Sequence, residues 1–383
     1  MNAFKTGLVV GKFAPLHRGH QLVIDTALSQ CDHVVLISWS IPEYPGCEPS
    51  VRVAWLAELY PQTTRLVVDQ AWLNAWSEEH AQPALPSTAE STSSSEPTAL
   101  SADRRARSQA PVIPNNDDPD IVHRQFVGWL CTHVLDCVVD AVFTSDDYGP
   151  GFAYELEQWF HDRGVADHTV THVSVDPVRQ IVPTSGTMIR SALGSWKQWL
   201  SPVVAASFVR RVTILGGESS GKSTLAAALA EYYGTEWVPE YGRELWDIRE
   251  GSLSYEDLLL IATEQVHREE QAARTPRAIE IGVLICDTSP LTTLLYCLDM
   301  FNRAEPKLYD LAKRTYDLVI LCSPDFTFVQ DGTRRDDTFR TAQHAWYQHE
   351  LATRSIPHLV VSGSVQDRVS AVLQAFSGRA TGD

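Results

Sequence analysis

The sequence predicts an α/β protein of two domains, each built on a parallel sheet with helices on its faces. The chain has 383 residues, which is more than one hydrophobic core usually holds. Short apolar runs alternate with amphipathic helical patterns, as expected for doubly wound sheets. Each half of the chain also carries a glycine-containing turn between an apolar run and a helical pattern. We expect one domain at residues 1–208 and a second at 209–383.

The predicted strands follow from runs of apolar residues bounded by turn residues. In the first half we expect strands at residues 6–10, 33–37, 138–144 and 173–175. In the second half we expect them at 212–215, 236–239, 281–286, 318–322 and 358–361, before a last helix at 365–376. Residues 83–120 are rich in Ser, Pro, Thr and Ala, and we expect a disordered or loosely held insertion there.

The net charge of −17 argues against broad contact with nucleic acid or anionic membrane, whose phosphates repel an acidic surface. No apolar stretch approaches the ~20 residues of a membrane helix, so we expect no membrane insertion. The seven cysteines form no C-x-x-C pair, which favours reduced thiols over disulfides or a zinc site. The apolar run near the N-terminus is too short for a secretory signal. We therefore expect a cytoplasmic protein.

Residues 216–223, Gly-Gly-Glu-Ser-Ser-Gly-Lys-Ser, fit the P-loop pattern G-x-x-x-x-G-K-[ST] between a strand and a helix. Its glycines let backbone N–H groups close around phosphate oxygens. Lys222 supplies a positive charge to the β- and γ-phosphates, and the hydroxyl of Ser223 is suited to Mg²⁺. The residues that we assign to ATP binding here are Gly216, Gly217, Glu218, Ser219, Ser220, Gly221, Lys222, Ser223 and Thr224.

Three further features favour a small-molecule kinase in this half. Glu240 follows the second predicted strand, where a carboxylate can take the proton of an acceptor hydroxyl, and Arg243 lies just beyond it. Asp287 ends a buried strand, as expected of a Mg²⁺ ligand. Two adjacent arginines, Arg334 and Arg335, follow a later strand, where they can close over ATP.

The N-terminal half contains a second candidate nucleotide site. Residues 11–20, Gly-Lys-Phe-Ala-Pro-Leu-His-Arg-Gly-His, follow the first strand, and His17 and His20 stand at the start of a helix. There both imidazoles can donate hydrogen bonds to a triphosphate. A metal pair or an ordinary turn also fits H-x-G-H alone. The further residues assigned to this site are Gly11, Lys12, Phe13, Ala14, Ser185, Thr187 and Arg190.

At these motifs the chain resembles a known family. The segments G-x-F-x-P-x-H-x-G-H and S-x-T-x-x-R look like the nucleotidylyltransferase superfamily, with its Rossmann-like domain. The junction at residues 201–224 resembles bacterial bifunctional nicotinamide-nucleotide adenylyltransferase/ribosylnicotinamide kinases of the NadR type. Asp176-Pro-Val-Arg179 and Asp146 are further matches. The resemblance implies an N-terminal nucleotidylyltransferase domain and a C-terminal P-loop kinase domain.

The resemblance also implies substrates and roles. The kinase would phosphorylate nicotinamide riboside with ATP to nicotinamide mononucleotide (NMN), with Lys222, Glu240 and Asp287 as catalytic residues. The other domain would join NMN to AMP from ATP and give NAD and pyrophosphate, with His17, His20 and Arg190 at the triphosphate. Both steps would use Mg²⁺, with Ser223 and Asp287 as ligands in the kinase.

The chain departs from the family pattern in two ways. Residue 11 already belongs to the nucleotide loop, so we expect no N-terminal helix-turn-helix and no nucleic-acid binding. Ser289 stands where we expect a second Asp, which leaves contacts at that position open. Trp72, Trp76 and Trp129 are candidates to stack on nicotinamide, although core packing also explains them.

Two other functions remain open at this point. Coenzyme A synthesis also pairs an H-x-G-H adenylyltransferase with a P-loop kinase. A sensor of NAD or ATP with weak catalysis is the second alternative, and a homo-oligomer is compatible with all of them.

Overall fold

The computed structural model describes residues 2–80, 111–191, 196–329 and 335–379. The chain divides into two compact units, Met1–Val204 and Ala205–Asp383. Each unit contains one five-stranded sheet in which all pairs of neighbouring strands are parallel. The predicted α/β class with two parallel sheets is confirmed.

The sheet of the first unit has the strand order β3-β2-β1-β4-β5. Its strands are β1 (Phe4–Val10), β2 (Cys31–Ser38), β3 (Thr64–Val67), β4 (Ala141–Thr144) and β5 (Thr171–Ser174). Its helices are α1 (Arg18–Gln30), α2 (Pro49–Leu59), α3 (Gln70–His80), α4 (Asp120–His133), α5 (Gly149–His161) and α6 (Gly186–Ser191). The chain changes direction across the sheet between β1 and β4, and such a switch point opens a crevice at the carboxyl ends of the strands.

The sheet of the second unit has the order β10-β9-β6-β8-β7. A 3₁₀ turn (Trp196–Trp199) and α7 (Pro202–Ala206) precede it. Its strands are β6 (Arg210–Leu215), β7 (Trp237–Val238), β8 (Val283–Asp287), β9 (Leu318–Cys322) and β10 (His358–Val361). Its helices are α8 (Lys222–Tyr233), α9 (Tyr241–Ile248), α10 (Tyr255–Ala273), α11 (Pro276–Ile281), α12 (Pro290–Phe301), α13 (Pro306–Leu311), α14 (Asp337–Thr353) and α15 (Val365–Arg379).

Strand β6 lies at the centre of the second sheet, between β8 and β9. Apolar residues of its two faces belong to two separate clusters. Leu215 packs with residues of α10, α12 and α14, whereas Val212 and Ile214 pack with residues of α8 and α15. A strand that is buried on both faces reads as a continuous apolar run, which explains why the sequence predicts it clearly.

The prediction of a disordered or loosely held insertion at residues 83–120 is wrong for the last part of that range. Residues 83–110 lie outside the described residues, but residues 111–120 are packed against the first unit. Ile113 is 2% exposed and belongs to the core. The side-chain amide of Asn116 donates to the carbonyl oxygen of Pro42 at 2.9 Å and to the hydroxyl of Ser40 at 3.1 Å. A single apolar residue in a Ser/Pro-rich stretch gives no periodic pattern, so its burial is not visible in the sequence.

Candidate active sites

The first site lies at the N-terminus of α1, directly after β1. His17 is the N-cap residue, and its Nδ1 accepts hydrogen bonds from the backbone N–H groups of Gly19 at 3.1 Å and His20 at 3.4 Å. Nδ1 of His20 accepts from the backbone N–H of His17 at 3.4 Å. The two histidines thus form a reciprocal capping box, a motif usually made by Ser or Thr with Glu or Gln.

These bonds fix the protonation state of both rings. Burial, together with Arg179 and Arg190, lowers the pKa of His17 to about 4. Burial and the neighbouring His17 lower the pKa of His20 well below its usual value. Because Nδ1 of each neutral ring accepts a hydrogen bond, the ring proton sits on Nε2. Both rings line the same cavity.

The loop between β1 and α1 is held from below by a buried arginine. The Arg52 side chain is fully buried; its Nη1 donates to the carbonyl oxygen of Lys12 at 3.0 Å and its Nη2 pairs with Glu43 at 2.6 Å. The hydroxyl of Ser38 donates to the same carbonyl oxygen at 3.0 Å. A Cβ atom on Gly11 would lie 2.7 Å from the ring of Phe13, so this close approach requires glycine.

Arg190 on α6 joins the two predicted halves of this site. Its Nη1 donates to the carbonyl oxygen of Ala14 at 2.5 Å, and its Nη2 donates to the hydroxyl of Thr187 at 3.2 Å. The guanidinium also lies 4.0 Å from the ring centroid of Tyr44. Ser185 accepts a hydrogen bond from the backbone N–H of Met188 in the first turn of α6. These contacts bring Ala14 and Arg190, which are 176 positions apart in sequence, to one edge of the sheet.

The resulting cavity has a volume of about 420 Å³. Every residue that the sequence assigned to this site lines it: Gly11, Lys12, Phe13, Ala14, His17, His20, Ser185, Thr187 and Arg190. The lining also includes Trp39 and His123, whose rings stack with centroids 5.7 Å apart. The sequence analysis missed this pair, although Trp39 directly follows β2 and so stands at the same carboxyl edge.

The three tryptophans considered for nicotinamide stacking lie elsewhere. Trp129 is 8% exposed and belongs to the core of the first unit, and Trp72 and Trp76 pack against that core. None of them lines the cavity. Core packing accounts for all three.

Arg179 is a further cation at the cavity. The loop that carries it is closed by the carboxylate of Asp176, which accepts from the backbone N–H groups of Gln180 at 2.7 Å and Val182 at 2.9 Å. Arg179 pairs with Asp146 at 3.1 Å, and both line the cavity.

The second site is the P-loop between β6 and α8. Gly216 has a φ of 148°, and a Cβ atom there would lie 2.6 Å from Oγ of Ser220. The hydroxyl of Ser220 and the ammonium of Lys222 both donate to the carbonyl oxygen of Gly217, at 2.7 Å and 3.1 Å. Ser223 and Thr224 are exposed in the first turn of α8.

Two carboxylates accompany Lys222. Asp287 ends β8 and is 3% exposed, and its Oδ1 is buried with no hydrogen-bond partner among the described residues. The pKa of Glu240 is raised by burial and further by Asp287, while Lys222 and Arg243 act in the opposite direction. Ser289, at the position where we expected a second Asp, is the N-cap of α12 and accepts from the backbone N–H of Leu291 at 3.3 Å.

Two buried arginines hold the P-loop, and the sequence analysis missed both. Arg368 on α15 donates to the carbonyl oxygens of Ser220 at 2.7 Å and Ser323 at 3.2 Å, and it pairs with Asp325. Arg340 on α14 is 5% exposed, and its Nη1 donates to the carbonyl oxygens of Ser219 in the P-loop at 3.5 Å and Phe326 at 2.9 Å. Each arginine lies more than 100 residues from the loop, so no local pattern reveals its role.

Arg334 lies outside the described residues. Arg335 is described; its Nη1 pairs with Asp299 at 2.6 Å, and its backbone N–H donates to a carboxylate oxygen of Glu218 at 2.8 Å.

In the described part of the chain, no helix has the length and apolarity needed to cross a membrane.

Comparison with known proteins covers both units. A family model described as an AAA domain matches residues 211–368. The trifunctional NAD biosynthesis/regulator protein NadR of Salmonella typhimurium is 26% identical over 344 residues, which covers 86% of this chain and 71% of that protein. The Escherichia coli protein of the same name gives the same identity and coverage.

Solved structures of NadR proteins share the fold. A NadR structure in complex with NR has a TM-score of 0.57 at 19% identity and covers 97% of this chain and 95% of the other. A NadR structure with NAD and AMP-PNP has a TM-score of 0.57 at 17% identity and covers 98% and 97%. The chain is thus similar in sequence to curated NadR proteins over most of its length, and it shares the fold of solved NadR structures.

Proposed function

We propose that this chain makes NAD in two steps. Its C-terminal domain, residues 209–383, phosphorylates nicotinamide riboside with ATP and gives NMN. Its N-terminal domain, residues 1–208, transfers AMP from a second ATP to NMN and gives NAD and pyrophosphate. The proposal rests on one observation: each unit of this NadR-like chain contains a nucleotide loop with the charged and hydrogen-bonding residues that nucleotide transfer needs. In agreement with it, one related structure is a complex with NR and another is a complex with NAD and AMP-PNP.

In the phosphorylation step, Glu240 accepts the proton of the riboside hydroxyl as the hydroxyl oxygen attacks the γ-phosphorus of ATP. The bond between the γ-phosphorus and the bridging oxygen of ADP breaks, and ADP leaves. The raised pKa of Glu240 makes its carboxylate a stronger base than an ordinary glutamate. Lys222 and the backbone N–H groups of the P-loop stabilise the charge on the phosphates. Arg243, Arg334 and Arg335 supply further positive charge around the nucleotide.

Mg²⁺ fits the oxygen donors of this site. The buried Oδ1 of Asp287 has no hydrogen-bond partner among the described residues, and an orphaned carboxylate oxygen is suited to a hard cation. The hydroxyl of Ser223 is exposed in the first turn of α8 and is a second donor. When bound, Mg²⁺ neutralises charge on the phosphates of ATP.

In the adenylyl-transfer step, a phosphate oxygen of NMN attacks the α-phosphorus of ATP, and the bond to the β-phosphate breaks. The Nε2–H groups of His17 and His20 donate to the triphosphate, and Arg190 with Thr187 holds its β/γ end. Lys12 and Arg179 add positive charge at the same cavity. Because His17, His20 and Arg190 are held by hydrogen bonds to backbone groups before ligand binds, little reorganisation of these three side chains is needed during transfer.

Two variants of the full-length protein test the two-step proposal. With ATP and nicotinamide riboside, the unmodified protein should form NAD. Lys222→Ala should form neither NMN nor NAD from the riboside but still form NAD from supplied NMN. His20→Ala should accumulate NMN without NAD. If the unmodified protein converts neither substrate, or if either single change abolishes both steps, the proposal is wrong.

The same proposal assigns the reaction to the cytoplasm, where cysteine thiols remain reduced. All seven cysteines are free thiols in the structure.

A further inference from the structure

Glu218, the third residue of the P-loop, is bonded on three sides to residues outside the loop. Its backbone N–H donates to the side-chain oxygen of Gln343 on α14 at 2.7 Å. Its Oε1 accepts a hydrogen bond from the hydroxyl of Tyr296 on α12 at 3.0 Å, and its Oε2 accepts from the backbone N–H of Arg335 at 2.8 Å. A single residue thereby connects the P-loop to α12, α14 and the segment before α14.

With these bonds in place, Glu218 is not available as a phosphate ligand. The backbone N–H groups of a P-loop normally turn towards phosphate oxygens, but the N–H of Glu218 is occupied by Gln343. A carboxylate also repels a phosphate at close range. Its side chain must therefore have a different role from those of Lys222 and Ser223.

One partner of Glu218, Tyr296, lies close enough to the candidate base Glu240 to be affected by its charge. Tyr296 is on the helix that begins just after Asp287, and the charges of Glu240 and Glu218 both raise the pKa of Tyr296 beyond the effect of its burial. Arg335 is fixed in turn, because its guanidinium lies 4.2 Å from the ring centroid of Phe339 and pairs with Asp299. Glu218 thus bridges the loop that would hold ATP and the elements around the candidate base Glu240.

We propose that Glu218 is a positioning residue of the phosphoryl-transfer site, which holds the P-loop at a fixed separation from α12 and from the backbone at Arg335. The kinetic part of this inference rests on the proposed kinase activity, whereas the hydrogen-bond part does not. Reacting groups must stay within a few tenths of an ångström of a productive geometry, so loss of these links lowers kcat more than it raises the KM for ATP.

Matched variants distinguish the effect of losing the hydrogen bonds of the Glu218 side chain from the effect of losing its negative charge. In Glu218→Gln, the amide oxygen can accept from the N–H of Arg335, and the amide N–H₂ can donate to the hydroxyl oxygen of Tyr296. Glu218→Ala removes both links, and Tyr296→Phe removes one of them. Glu231→Ala, at an exposed position near the end of α8, is the control for loss of a carboxylate.

We expect Glu218→Ala to lower the kcat of riboside phosphorylation by roughly 30-fold, because it removes two hydrogen bonds to a charged acceptor. Tyr296→Phe should lower it by a smaller factor, and the double variant should be no slower than Glu218→Ala, since both remove the same contact. Glu218→Gln should recover most of the loss. A Glu218→Gln protein as slow as Glu218→Ala, or additive effects in the double variant, would overturn the proposal.

Hydrogen exchange of the Arg335 amide tests the same links without any substrate. Exchange should be faster in Glu218→Ala and should match the unmodified protein in Glu218→Gln and Glu231→Ala. Unaltered exchange in Glu218→Ala would contradict the proposed link. A protein that phosphorylates no riboside, yet shows this exchange pattern, would refute the kinase assignment and the kinetic role of Glu218 but leave its hydrogen-bond links in place. Thermal unfolding of each variant reports whether it is folded.

Discussion

The imidazole rings of His17 and His20 stack with their centroids 3.7 Å apart and their planes inclined by 22°. Two imidazolium cations at this distance would repel each other, and Arg179 and Arg190 add further positive charge nearby. The reciprocal bonds to backbone N–H groups also require an unprotonated Nδ1 on each ring. The structure therefore depends on neutral histidines at the start of α1.

Neutral His17 makes the stability of the first unit depend on pH. Its pKa of about 4 in the folded protein lies below the usual 6.5, so between these values the unfolded chain binds a proton that the folded chain does not. The free energy of unfolding should therefore fall as the pH is lowered through this window, by up to about 1.4 kcal/mol per pH unit from His17.

His17→Asn is the matched variant for this prediction, because Asn also caps helices but does not titrate. Its stability should fall less steeply between about pH 6.5 and pH 4. The measurement is urea-dependent hydrogen exchange of β1 peptides in the full chain at several pH values. Equal slopes for the two proteins would mean that His17 is not held neutral.

Even a conservative replacement of Arg190 should impair adenylyl transfer. Its two terminal nitrogens bond to Ala14 and Thr187 while its plane covers Tyr44, and an ammonium group cannot reproduce this fork. We expect Arg190→Lys to lower kcat/KM for adenylyl transfer at least ~10-fold. Riboside phosphorylation by the same protein is the internal control and should not change. Full adenylyl transfer by Arg190→Lys would show that charge alone suffices at this position.

The sequence predicts the two nucleotide loops well because their chemistry is local. A strand, a glycine turn and a helix N-terminus are consecutive in the chain, so Gly216 to Thr224 fit the P-loop pattern directly, and Gly11 to His20 stand out as a second candidate loop. The short strand β3, Thr64–Val67, was missed because only Leu66 in it is buried. A single buried residue gives no period of two.

The supports of the loops are invisible in the sequence for a different reason. Arg52 reaches Lys12 across 40 positions, and Arg368 reaches Ser220 across 148. An isolated arginine on an amphipathic helix looks like an ordinary solvated charge. Only the fold shows that these guanidinium groups are buried and bonded to loop carbonyl oxygens.

Loss of Arg368 should weaken the second unit and its P-loop together. The side chain is 3% exposed and its partner Asp325 is 30% exposed, so removal leaves a partly buried carboxylate and several unpaired carbonyl oxygens. We expect Arg368→Ala to cost about 3 kcal/mol in free energy of unfolding and to raise the KM for ATP in the kinase reaction.

Lys313→Ala provides the comparison for Arg368→Ala. Lys313 pairs with Asp310, but the two side chains are 70% and 71% exposed, so its loss should change stability by less than about 0.5 kcal/mol. Urea unfolding of the second unit and ATP titration of kinase activity measure both effects. If the two variants were equally stable, Arg368 would not be a support of the loop.

Replacement of Asp287 should raise the stability of the second unit while it lowers kinase activity, whereas loss of Arg368 should impair both. Its Oδ1 is buried without a hydrogen-bond partner among the described residues, and burying an unpaired charged oxygen costs free energy. Asp287→Asn keeps the shape and removes the charge, so we expect the variant to be more stable by about 1 kcal/mol. The same change removes the proposed Mg²⁺ ligand, so riboside phosphorylation should fall by at least ~100-fold while adenylyl transfer from supplied NMN persists. Thermal unfolding without nucleotide and separate assays of the two steps measure these changes.

A stable Asp287→Asn variant with full kinase activity would show that Asp287 does not serve the phosphoryl transfer. A destabilised variant would show that the carboxylate of Asp287 has a structural partner.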